Sequence, residues 1–552
     1  MLMKDLNTKY CVEGYDKNGV LNKFEIKCPD NFNFGYDVID VIGTNEPDRK
    51  AMIWCNDNGE EHVFTYGELM KKSNQTANMF LAHGIKKGDK VVSVLKRHYQ
   101  FWFTTIALCK IGAVLIPATN QLQKKDYTYR FKSADVKFVI ATGEGETTDH
   151  IDDACLEYTG IKEKFIVRGQ KDGWVNFDEE IEKYPDTMER IQNNVNDDML
   201  LYFTSGTTGY PKMVMHSHYY SLAHIPTAKH WHHLNDKSVH LTVSESGWGK
   251  CMWGKMYGQF FMASCILVYD FDRFDAHKML KQMQDKKITS FCAPPTIYRF
   301  FIKEGMGDFD LSSLEYATVA GEALNPEVFN KFYEYTGIKL MEGFGQTEMV
   351  LLIANSYGME PKPGSMGKPM PLFNVDIVDE DGNPLPNGET GEIVVRTNGR
   401  KQIGLFKCYY NNEEATNAAW HDNLYHTGDT AWKDEDGYYW YVGRTDDVIK
   451  ASGYRIGPFE IESVLMEHPA VLEVAVTGAK DPIRGQVVKA TIVLTKAYKD
   501  KGNDALVKEL QNYVKNATAP YKYPRIIEFV DELPKTISGK IRRVAIRSND
   551  NK

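Results

Sequence analysis

The sequence predicts an α/β fold with a large N-terminal domain of two doubly covered β-sheet subdomains plus a small β lobe, followed by a small α+β C-terminal domain. Apolar strand-like runs alternate with helical segments through most of the chain, which indicates parallel sheets covered by helices. Short strands and turns follow from about Asn374, and roughly the last hundred residues carry a separate strand and helix pattern.

The first elements are predicted from a capping signal and from apolar runs. Thr65 followed by Glu68 is a capping box, which predicts a helix that continues to about His83 and stops at Gly84. The run KVVSVL at 90–95 predicts a buried strand. Further predicted elements are a helix at about 100–112, strands at 113–118 and 136–141, a helix at 270–287 and a strand at 288–292.

The end of the chain has a different texture. The segment NVDIVDEDGNPLPNGETGEIVVR predicts a small β-rich lobe because short apolar runs alternate with turn residues. Beyond it, VLEVAVTG, QVVKATIVL and RIIEFV predict three strands, with a helix at about 503–514 between the last two. We place the boundary at Asp446, which divides the chain into domains 1–445 and 446–552.

Composition excludes several classes of function. The chain has 552 residues, 42% hydrophobic and 26% charged, with a formal net charge of -9, which argues against nucleic acid as a partner. Mean hydropathy is -0.43 and no apolar run approaches membrane-spanning length, so no membrane span is expected. Nine scattered cysteines without a C-x-x-C pair favour a reduced, cytoplasmic protein. The oligomeric state stays open between monomer and homodimer.

The most informative segment is LLYFTSGTTGYPK at 200–212, a buried strand followed by a loop of small residues that a lysine closes. Such a loop lets backbone N–H groups converge on an anion, and its hydroxyls and lysine add donors and charge. The spacing differs from that of the Walker A phosphate loop, G-x-x-x-x-G-K-[ST]. An ordinary surface loop is the alternative, but the length and order of the string favour phosphate binding. The candidate residues are Thr204, Ser205, Gly206, Thr207, Thr208, Gly209 and Lys212.

This loop resembles the signature of the adenylate-forming (ANL) superfamily, which includes acyl-CoA synthetases, peptide-synthetase adenylation domains and beetle luciferases. Further matching segments follow in the family's order: AGEALNPE at 320–327, GFGQTE at 343–348, GSMGKP at 364–369, YHTGD at 425–429, GRTDDVIKASGYRIGPFEIE at 443–462 and PKTISGKIRR at 534–543. The resemblance is greatest to the medium-chain branch of AMP-forming acyl-CoA synthetases. It implies ATP, Mg²⁺ and coenzyme A as cofactors and a small-molecule carboxylic acid as partner.

The resemblance implies the residues that hold the nucleotide. Gly321, Glu322 and Ala323 would form the adenine-binding turn, Phe344 would stack on adenine, Asp429 would accept the ribose hydroxyls, and Arg444 would be its cationic companion.

The resemblance also implies a catalytic set of Lys540, Glu348 and Thr347. Thr347 would contact phosphate, and Glu348 would help to hold Mg²⁺, since this ion is commonly bound by one or two carboxylates plus substrate phosphates. Lys540 lies in PKTISGK. Attack of a carboxylate on the α-phosphate builds negative charge, which a positioned ammonium stabilises.

Members of this family carry out two half-reactions by rotating a mobile C-terminal domain. Asp446 matches the hinge position. The residues expected to face the site in the thioester-forming state are Lys450, Ser452, Gly453, Tyr454 and Arg455.

Gly345 is the position most informative about the acid, because acetyl-specific relatives carry a tryptophan there. Glycine leaves space for an acyl chain. Trp248 and Trp253 in ESGWGKCMWGKMYGQF are bulky and would limit the length of that acyl chain. Their spacing is also compatible with core packing alone. We therefore expect a short- to medium-chain, branched or compact aromatic acid. The roles of Lys250 and Lys255 stay open.

Other functions on the same scaffold are loading of an acid onto a carrier protein, oxidation of a bound adenylate, and non-catalytic ATP sensing. No carrier domain is fused, and the intact Lys540, Glu348 and Asp446 argue against a sensor. The clustered histidines from His216 to His233 have no cysteine or acidic partner at zinc spacing, so we expect no zinc site.

Overall fold

The computed structural model describes residues 3–204, 211–399, 402–451, 454–481, 484–536 and 540–550. Two large sheets form the N-terminal part. The first has eight strands, of which the six from Asp198–Thr204 to Val175–Asn176 are parallel. Its strands, in spatial order, are Cys408–Tyr409, Lys212–Ser217, Asp198–Thr204, Val114–Pro117, Lys90–Val94, Phe138–Thr142, Glu163–Val167 and Val175–Asn176.

Local signals fix the helices that cover this sheet. The Thr65 hydroxyl accepts a hydrogen bond from the Glu68 backbone N–H while the Glu68 carboxylate accepts one from the Thr65 N–H, so the predicted capping box is confirmed. Gly112 ends the next helix at φ 71°, a left-handed value that favours glycine. The α-helices here are Val41–Asn45, Tyr66–Ala82, Gln100–Ile111, Lys124–Ala134, Thr147–Cys155 and Phe177–Ile181.

The second sheet has nine strands, and its central six are parallel. In spatial order they are Lys368–Pro369, Ile353–Ala354, Leu340–Phe344, Tyr316–Val319, Ser290–Ala293, Val239–Thr242, Cys265–Asp270, Lys50–Asn56 and Glu61–Thr65. The α-helices between the strands Lys212–Ser217 and Leu340–Phe344 are Tyr219–Ala223, Gly249–Lys255, Tyr257–Phe261, Ala276–Asp285, Pro295–Glu304 and Pro326–Thr336.

One predicted helix begins too early in the sequence. The segment 270–275, predicted as helical, contains the end of the strand Cys265–Asp270 and a loop. The helix is Ala276–Asp285, because the Asp275 carboxylate caps it by accepting from the Lys278 N–H. The strand is buried throughout, and its parallel pairing with Lys50–Asn56 holds residue 270 in the sheet.

The predicted β lobe is an antiparallel sheet that follows the second large sheet. Val375–Val378 pairs with Gly391–Arg396, both within the segment predicted as β-rich. The remaining strands are Trp420–His421, Leu424–Lys433 and Tyr439–Arg444, and the helix Glu413–Ala419 precedes them.

The C-terminal part has a sheet and an apolar core of its own. Its strands are Tyr454–Ile456, Ile449–Ala451, Gly485–Leu494, Val471–Asp481 and Ile526–Val530, and its α-helices are Pro458–Met466, Asp504–Ala517 and Arg543–Asp550. The last strand of the β lobe ends at Arg444 and the first of this sheet begins at Ile449. The predicted domain boundary at Asp446 falls in that interval and stays a prediction.

The remaining features of the chain are a separate hairpin, the cysteines and the lengths of the helices. A hairpin of Cys11–Tyr15 and Leu21–Ile26 forms a separate two-stranded sheet. None of the nine cysteines, all of which lie in the described ranges, forms a disulfide. In the described part of the chain, every helix is too short or too polar to cross a membrane.

Candidate active site

The predicted phosphate loop is closed by an antiparallel strand pair. Thr204 at the end of one strand pairs directly with Lys212 at the start of the next. The Lys212 ammonium lies 4.6 Å from the centre of the Tyr409 ring, on the neighbouring strand. Ser205, Gly206, Thr207, Thr208 and Gly209 lie outside the described residues. The register therefore sets both ends of the loop close together beside a lysine.

Glu348 lies against the same corner. The Tyr409 hydroxyl donates to the Glu348 Oε1 at 2.9 Å. Burial raises the pKa of Glu348, and the hydrogen bond from Tyr409, then Arg444 and Lys212, act in the opposite direction. The adjacent Thr347 carbonyl lies 2.8 Å from His216 Nε2, on the strand that leaves the loop. Glu348 is thus a partly desolvated carboxylate flanked by two cations.

Asp429 and Arg444 form a second charged group. They are direct partners across two antiparallel strands, and their side chains are 3.1 Å apart. The Tyr441 hydroxyl donates to Asp429 Oδ1 at 3.0 Å, and the Gln346 amide donates to Oδ2. Burial raises the pKa of Asp429 while Arg444 opposes that rise. Phe344 packs near Tyr441, with ring centroids 6.1 Å apart.

The predicted adenine-binding turn lies after the strand Tyr316–Val319. Gly321 has φ 108°, a value that requires glycine, and Glu322 is exposed beside a half-buried Ala323. The turn is held from two sides. Lys250 Nζ donates to the Ala320 carbonyl at 2.7 Å, and the Leu324 N–H donates to Glu342 Oε1 at 3.2 Å.

Lys540 approaches this turn from the C-terminal part. It is exposed, and its backbone N–H donates to the Thr536 hydroxyl at 3.1 Å. Burial lowers the pKa of Lys250, and the charge of Lys540 lowers it further. The charge of Lys540 therefore acts on Lys250, the residue that holds the predicted adenine turn. Asn325 adds a contact between the two parts, since its amide donates to the Ser463 carbonyl at 3.2 Å.

The residues of the C-terminal part that are expected to face the site during thioester formation lie away from these motifs. Lys450 is 70% exposed, and its ammonium is 3.7 Å from Glu380 in a turn of the β lobe. Asp446 is exposed. Ser452, Gly453 and the Arg455 side chain lie outside the described part of the chain. In this conformation Lys450 therefore pairs with the β lobe, whereas the charge of Lys540 acts on Lys250 beside the predicted adenine turn.

The space predicted beside Gly345 is occupied. A Cβ placed on Gly345 would lie 2.3 Å from the Trp253 indole and 2.9 Å from the Val350 carbonyl oxygen. Trp253 is buried in the short helix Gly249–Lys255, and Trp248 is the half-buried residue before it. The expectation that Gly345 leaves open space is wrong in this conformation, because glycine here accommodates a tryptophan from a neighbouring element.

Comparison with known proteins identifies the family. The family model for AMP-binding enzymes matches residues 40–410, and the model for the C-terminal domain of these enzymes matches 460–540. The chain belongs to the AMP-binding enzyme family. It is 41% identical over 530 residues to the human protein named acyl-coenzyme A synthetase ACSM5, mitochondrial, covering 95% of this chain and 91% of the relative. It is 39% identical to rat acyl-coenzyme A synthetase ACSM3, mitochondrial, covering 100% and 96%.

Solved structures agree with this assignment. The anthranilate CoA ligase AuaEII in complex with anthranoyl-AMP superposes with a TM-score of 0.85 at 28% identity, covering 95% of this chain and 98% of the ligase. A benzoate CoA ligase from Burkholderia xenovorans LB400 gives 0.80 at 26% identity, covering 94% and 100%. The predicted superfamily, fold class and acid-thiol ligase class are confirmed.

Several residues that contact the predicted site residues were not predicted from the sequence. Gln346 and Tyr425 belong to motifs that the sequence displays, and the Tyr425 hydroxyl donates to Gln346 Oε1 at 2.9 Å. Their polar side chains within those motifs could have identified them. Tyr409 and Tyr441 follow no such signal, because sheet pairing alone brings them to Glu348 and Asp429.

Glu342 was also missed, although it directly precedes the GFGQTE motif. It is buried, and burial raises its pKa from 4.5 to about 8. The carboxyl is therefore protonated at neutral pH. A protonated Glu342 still accepts the Leu324 N–H, so the adenine turn is supported by a neutral group.

The clustered histidines do not form a metal centre in the described residues, where no group of three or more His, Cys, Asp or Glu side chains could hold an ion. His232 Nδ1 lies 2.9 Å from the Thr318 hydroxyl, and His230 Nε2 lies 3.0 Å from Glu13.

Glu342→Gln tests the protonation state. The folded pKa is raised, so the folded form holds the proton between pH 4.5 and about 8 while the unfolded form loses it. Stability falls with rising pH in that window, by at most about 1.4 kcal/mol per pH unit. Glutamine mimics the protonated acid and lacks this loss. We expect the thermal midpoint of the variant to decline less steeply from pH 5 to 8.

The matched control is Glu389→Gln at an exposed turn position. It should leave the slope of wild-type stability against pH unchanged. Parallel slopes for Glu342→Gln and wild type would contradict a neutral buried carboxyl at this position.

Proposed function

We propose that this chain is an AMP-forming acyl-CoA synthetase, which joins a carboxylic acid to coenzyme A through an acyl-adenylate. One observation carries the proposal. The paired strand ends at Thr204 and Lys212, the carboxylate of Glu348 and the Asp429–Arg444 pair lie at one corner of the large domain. The charge of Lys540 in the C-terminal part acts on Lys250, which holds the predicted adenine turn.

The nucleotide is bound by complementary groups. Backbone N–H groups of the loop and Lys212 suit the phosphates, because convergent donors and a positive charge stabilise an anion. Asp429 suits the ribose hydroxyls, since a carboxylate is an acceptor only. Phe344 and the turn at 321–323 would bind the adenine between an aromatic face and backbone groups.

Magnesium fits the chemistry of Glu348. The carboxylate is half-buried with a raised pKa, so a bound cation would offset the cost of its burial. Mg²⁺ also prefers carboxylate and phosphate oxygens and needs few protein ligands. When bound, the ion neutralises charge on the leaving pyrophosphate.

In the first half-reaction a carboxylate oxygen of the acid attacks the α-phosphorus. A new O–P bond forms, and the bond to the β-phosphate oxygen breaks to release pyrophosphate. Two anions approach each other, so a positioned ammonium lowers the barrier. Lys540 supplies that charge, and the interaction with Lys250 supports its approach to the site in this conformation.

In the second half-reaction the sulfur of coenzyme A attacks the acyl carbonyl carbon, the acyl C–O bond breaks, and AMP leaves. We infer that the C-terminal part rotates about Asp446 between the two steps and presents Lys450, Gly453 and Arg455. The Lys450–Glu380 pair is exposed on both sides, and such pairs contribute little stability, so it restrains this rotation weakly.

The substrate is proposed to be a short- to medium-chain, branched or compact aromatic acid. Trp253 closes the space beside Gly345, which limits chain length unless the indole moves. The solved relatives named for anthranilate and benzoate support compact aromatic acids as candidates. The cytoplasmic location stays a prediction, because the mitochondrial location in the relatives' names belongs to those proteins.

The deciding experiment measures pyrophosphate and AMP release across a panel of acids, with and without coenzyme A. A synthetase exchanges labelled pyrophosphate into ATP with its acid alone and releases AMP continuously only with coenzyme A. Carrier loading would require an added carrier protein, and an ATP sensor would release no pyrophosphate. Absence of exchange with every acid would contradict the proposal.

Lys540→Ala should slow adenylation by roughly a hundred- to a thousandfold, the usual effect of removing one preorganised charge donor. Thioester formation from supplied acyl-AMP should be spared. Pyrophosphate exchange and acyl-CoA formation measure the two steps separately. The control is Lys535→Ala in the same segment, whose ammonium pairs with Glu473 at 2.6 Å. Equal loss of both steps would contradict the role of Lys540.

Lys450→Ala should show the reverse pattern. Conversion of supplied acyl-AMP should fall about ten- to a hundredfold, while pyrophosphate exchange stays at the wild-type rate, because Lys450 faces away from the adenylation motifs here. Exposed Lys496 on the same domain provides the matched alanine control. A loss confined to pyrophosphate exchange would refute the proposed rotation.

Gly345→Ala should narrow the acyl pocket. The added methyl would meet the indole of Trp253 and would occupy part of the space that the indole must leave for the acid. The ratio of kcat/KM for hexanoate to that for acetate should fall about tenfold, a typical effect of one methyl group in a pocket. Gly307→Ala is the control, because a Cβ there meets no heavy atom within 4 Å. An unchanged ratio would show that this wall does not contact the acid.

A further inference from the structure

Behind Trp253 lies a buried imidazole surrounded by aromatic rings. The His224 ring centroid is 4.6 Å from that of Tyr220 and perpendicular to it. It is 6.0 Å from Tyr257, nearly parallel, and 6.0 Å from Trp253. We call these four side chains the aromatic box.

His224 makes no use of its polar atoms in the described part of the chain. The side chain is fully buried, and neither ring nitrogen has a hydrogen-bond partner there. Burial, with a smaller contribution from His216, lowers its pKa to about 3, so the ring is neutral with one donor and one acceptor. Each unsatisfied buried group costs about 1–3 kcal/mol.

Other buried histidines of this protein are satisfied on at least one nitrogen. His216 lies 2.8 Å from the Thr347 carbonyl, and His240 lies within 3.0 Å of the Ser290 and Thr242 hydroxyls. A phenylalanine or leucine would fill an aromatic site without the cost that His224 carries. The imidazole is therefore not explained by packing.

The aromatic box adjoins the expected acyl pocket through Trp253. The edge of the indole occupies the space beside Gly345, and its Nε1 donates to the Tyr220 hydroxyl at 3.1 Å. An acid that displaces the indole from Gly345 would also free that hydroxyl. The His224 ring lies on the same aromatic cluster, with its centroid 6.0 Å from that of Trp253. A bound acyl group would then meet two hydrogen-bonding groups at its far end.

We propose that His224 determines substrate specificity by hydrogen bonding a polar substituent, a hydroxyl, amino or oxo group, on the part of the acid farthest from its carboxylate. The inference rests on the proposed function and narrows its substrate class. An unsubstituted acid leaves the imidazole unpaired in the complex, whereas a substituted acid satisfies it. Sites built to bond a substituent discriminate strongly against analogues that lack it.

The test compares matched acids that differ by one substituent. Pentanoate is paired with its terminal hydroxy derivative and with levulinate, and benzoate is paired with the hydroxy- and aminobenzoates. Pyrophosphate release gives kcat/KM for each. In wild type, at least one substituted acid should exceed its parent by about tenfold or more. His224→Phe should reduce that ratio to near one while kcat/KM for the parent acid stays within about threefold.

Two further variants keep the result decisive. His218→Phe, the same change at another fully buried histidine on the preceding turn, should leave the ratio at its wild-type value. If His224→Phe does not fold, His224→Leu removes the same polar atoms with a smaller side chain. The thermal midpoint of each variant shows whether it is folded.

The possible outcomes distinguish a failure of the role proposed for His224 from a failure of the proposed synthetase function. Activation of the parent acids with no preference for any substituted acid would overturn the role of His224 and leave the synthetase assignment standing. The same holds if folded His224→Phe retains the wild-type ratio. No pyrophosphate release with any acid would instead overturn the proposed function.

Discussion

The buried carboxylate of Asp429 is the constraint on which the rest of the site depends. Its cross-strand partner Arg444 compensates the charge, and Gln346 connects it to the GFGQTE motif. The geometry leaves little freedom, because Gly428 has φ 68° and a Cβ there would lie 2.8 Å from the Arg444 guanidinium. Arg444 precedes the predicted hinge at Asp446 by two positions. The pair with Asp429 therefore holds the chain in the N-terminal part just before the point of the proposed rotation.

Two other charged groups of the site have shifted pKa values. Burial raises the pKa of Glu348, and it lowers that of Lys250, which Lys540 lowers further. Bringing two ammonium groups together costs free energy unless an anion lies between them. In the proposed function a nucleotide phosphate would supply that anion, so binding of ATP would favour the approach of Lys540. Substrate binding and domain position are then linked by the same electrostatic interaction.

Local sequence signals predicted the fold well where the cause is local. The capping box of Thr65 and Glu68 and the glycine at 112 fix helix ends through contacts within a few residues. The helix predicted from Asp270 began six positions too early because sheet pairing, a long-range contact, holds that residue in a strand. Tyr409 reaches Glu348 for the same reason, through strand pairing across nearly two hundred residues of chain.

The family motifs predicted which polar residues meet, but not the shape of the pocket. A glycine at position 345 shows only that this residue has no side chain. The space beside it is filled by Trp253, whose packing the sequence does not reveal. An apolar pocket gains about 0.8 kcal/mol for each buried CH₂ and so discriminates gradually among chain lengths. An unpaired imidazole discriminates by a different principle, because only an acid that forms a hydrogen bond with it gains the free energy of that bond. Both effects depend on Trp253. Its indole must move away from Gly345 and break its hydrogen bond to the Tyr220 hydroxyl before an acid reaches His224. The pocket therefore selects first by whether the acid can displace a hydrogen-bonded ring and then by what the acid offers in its place.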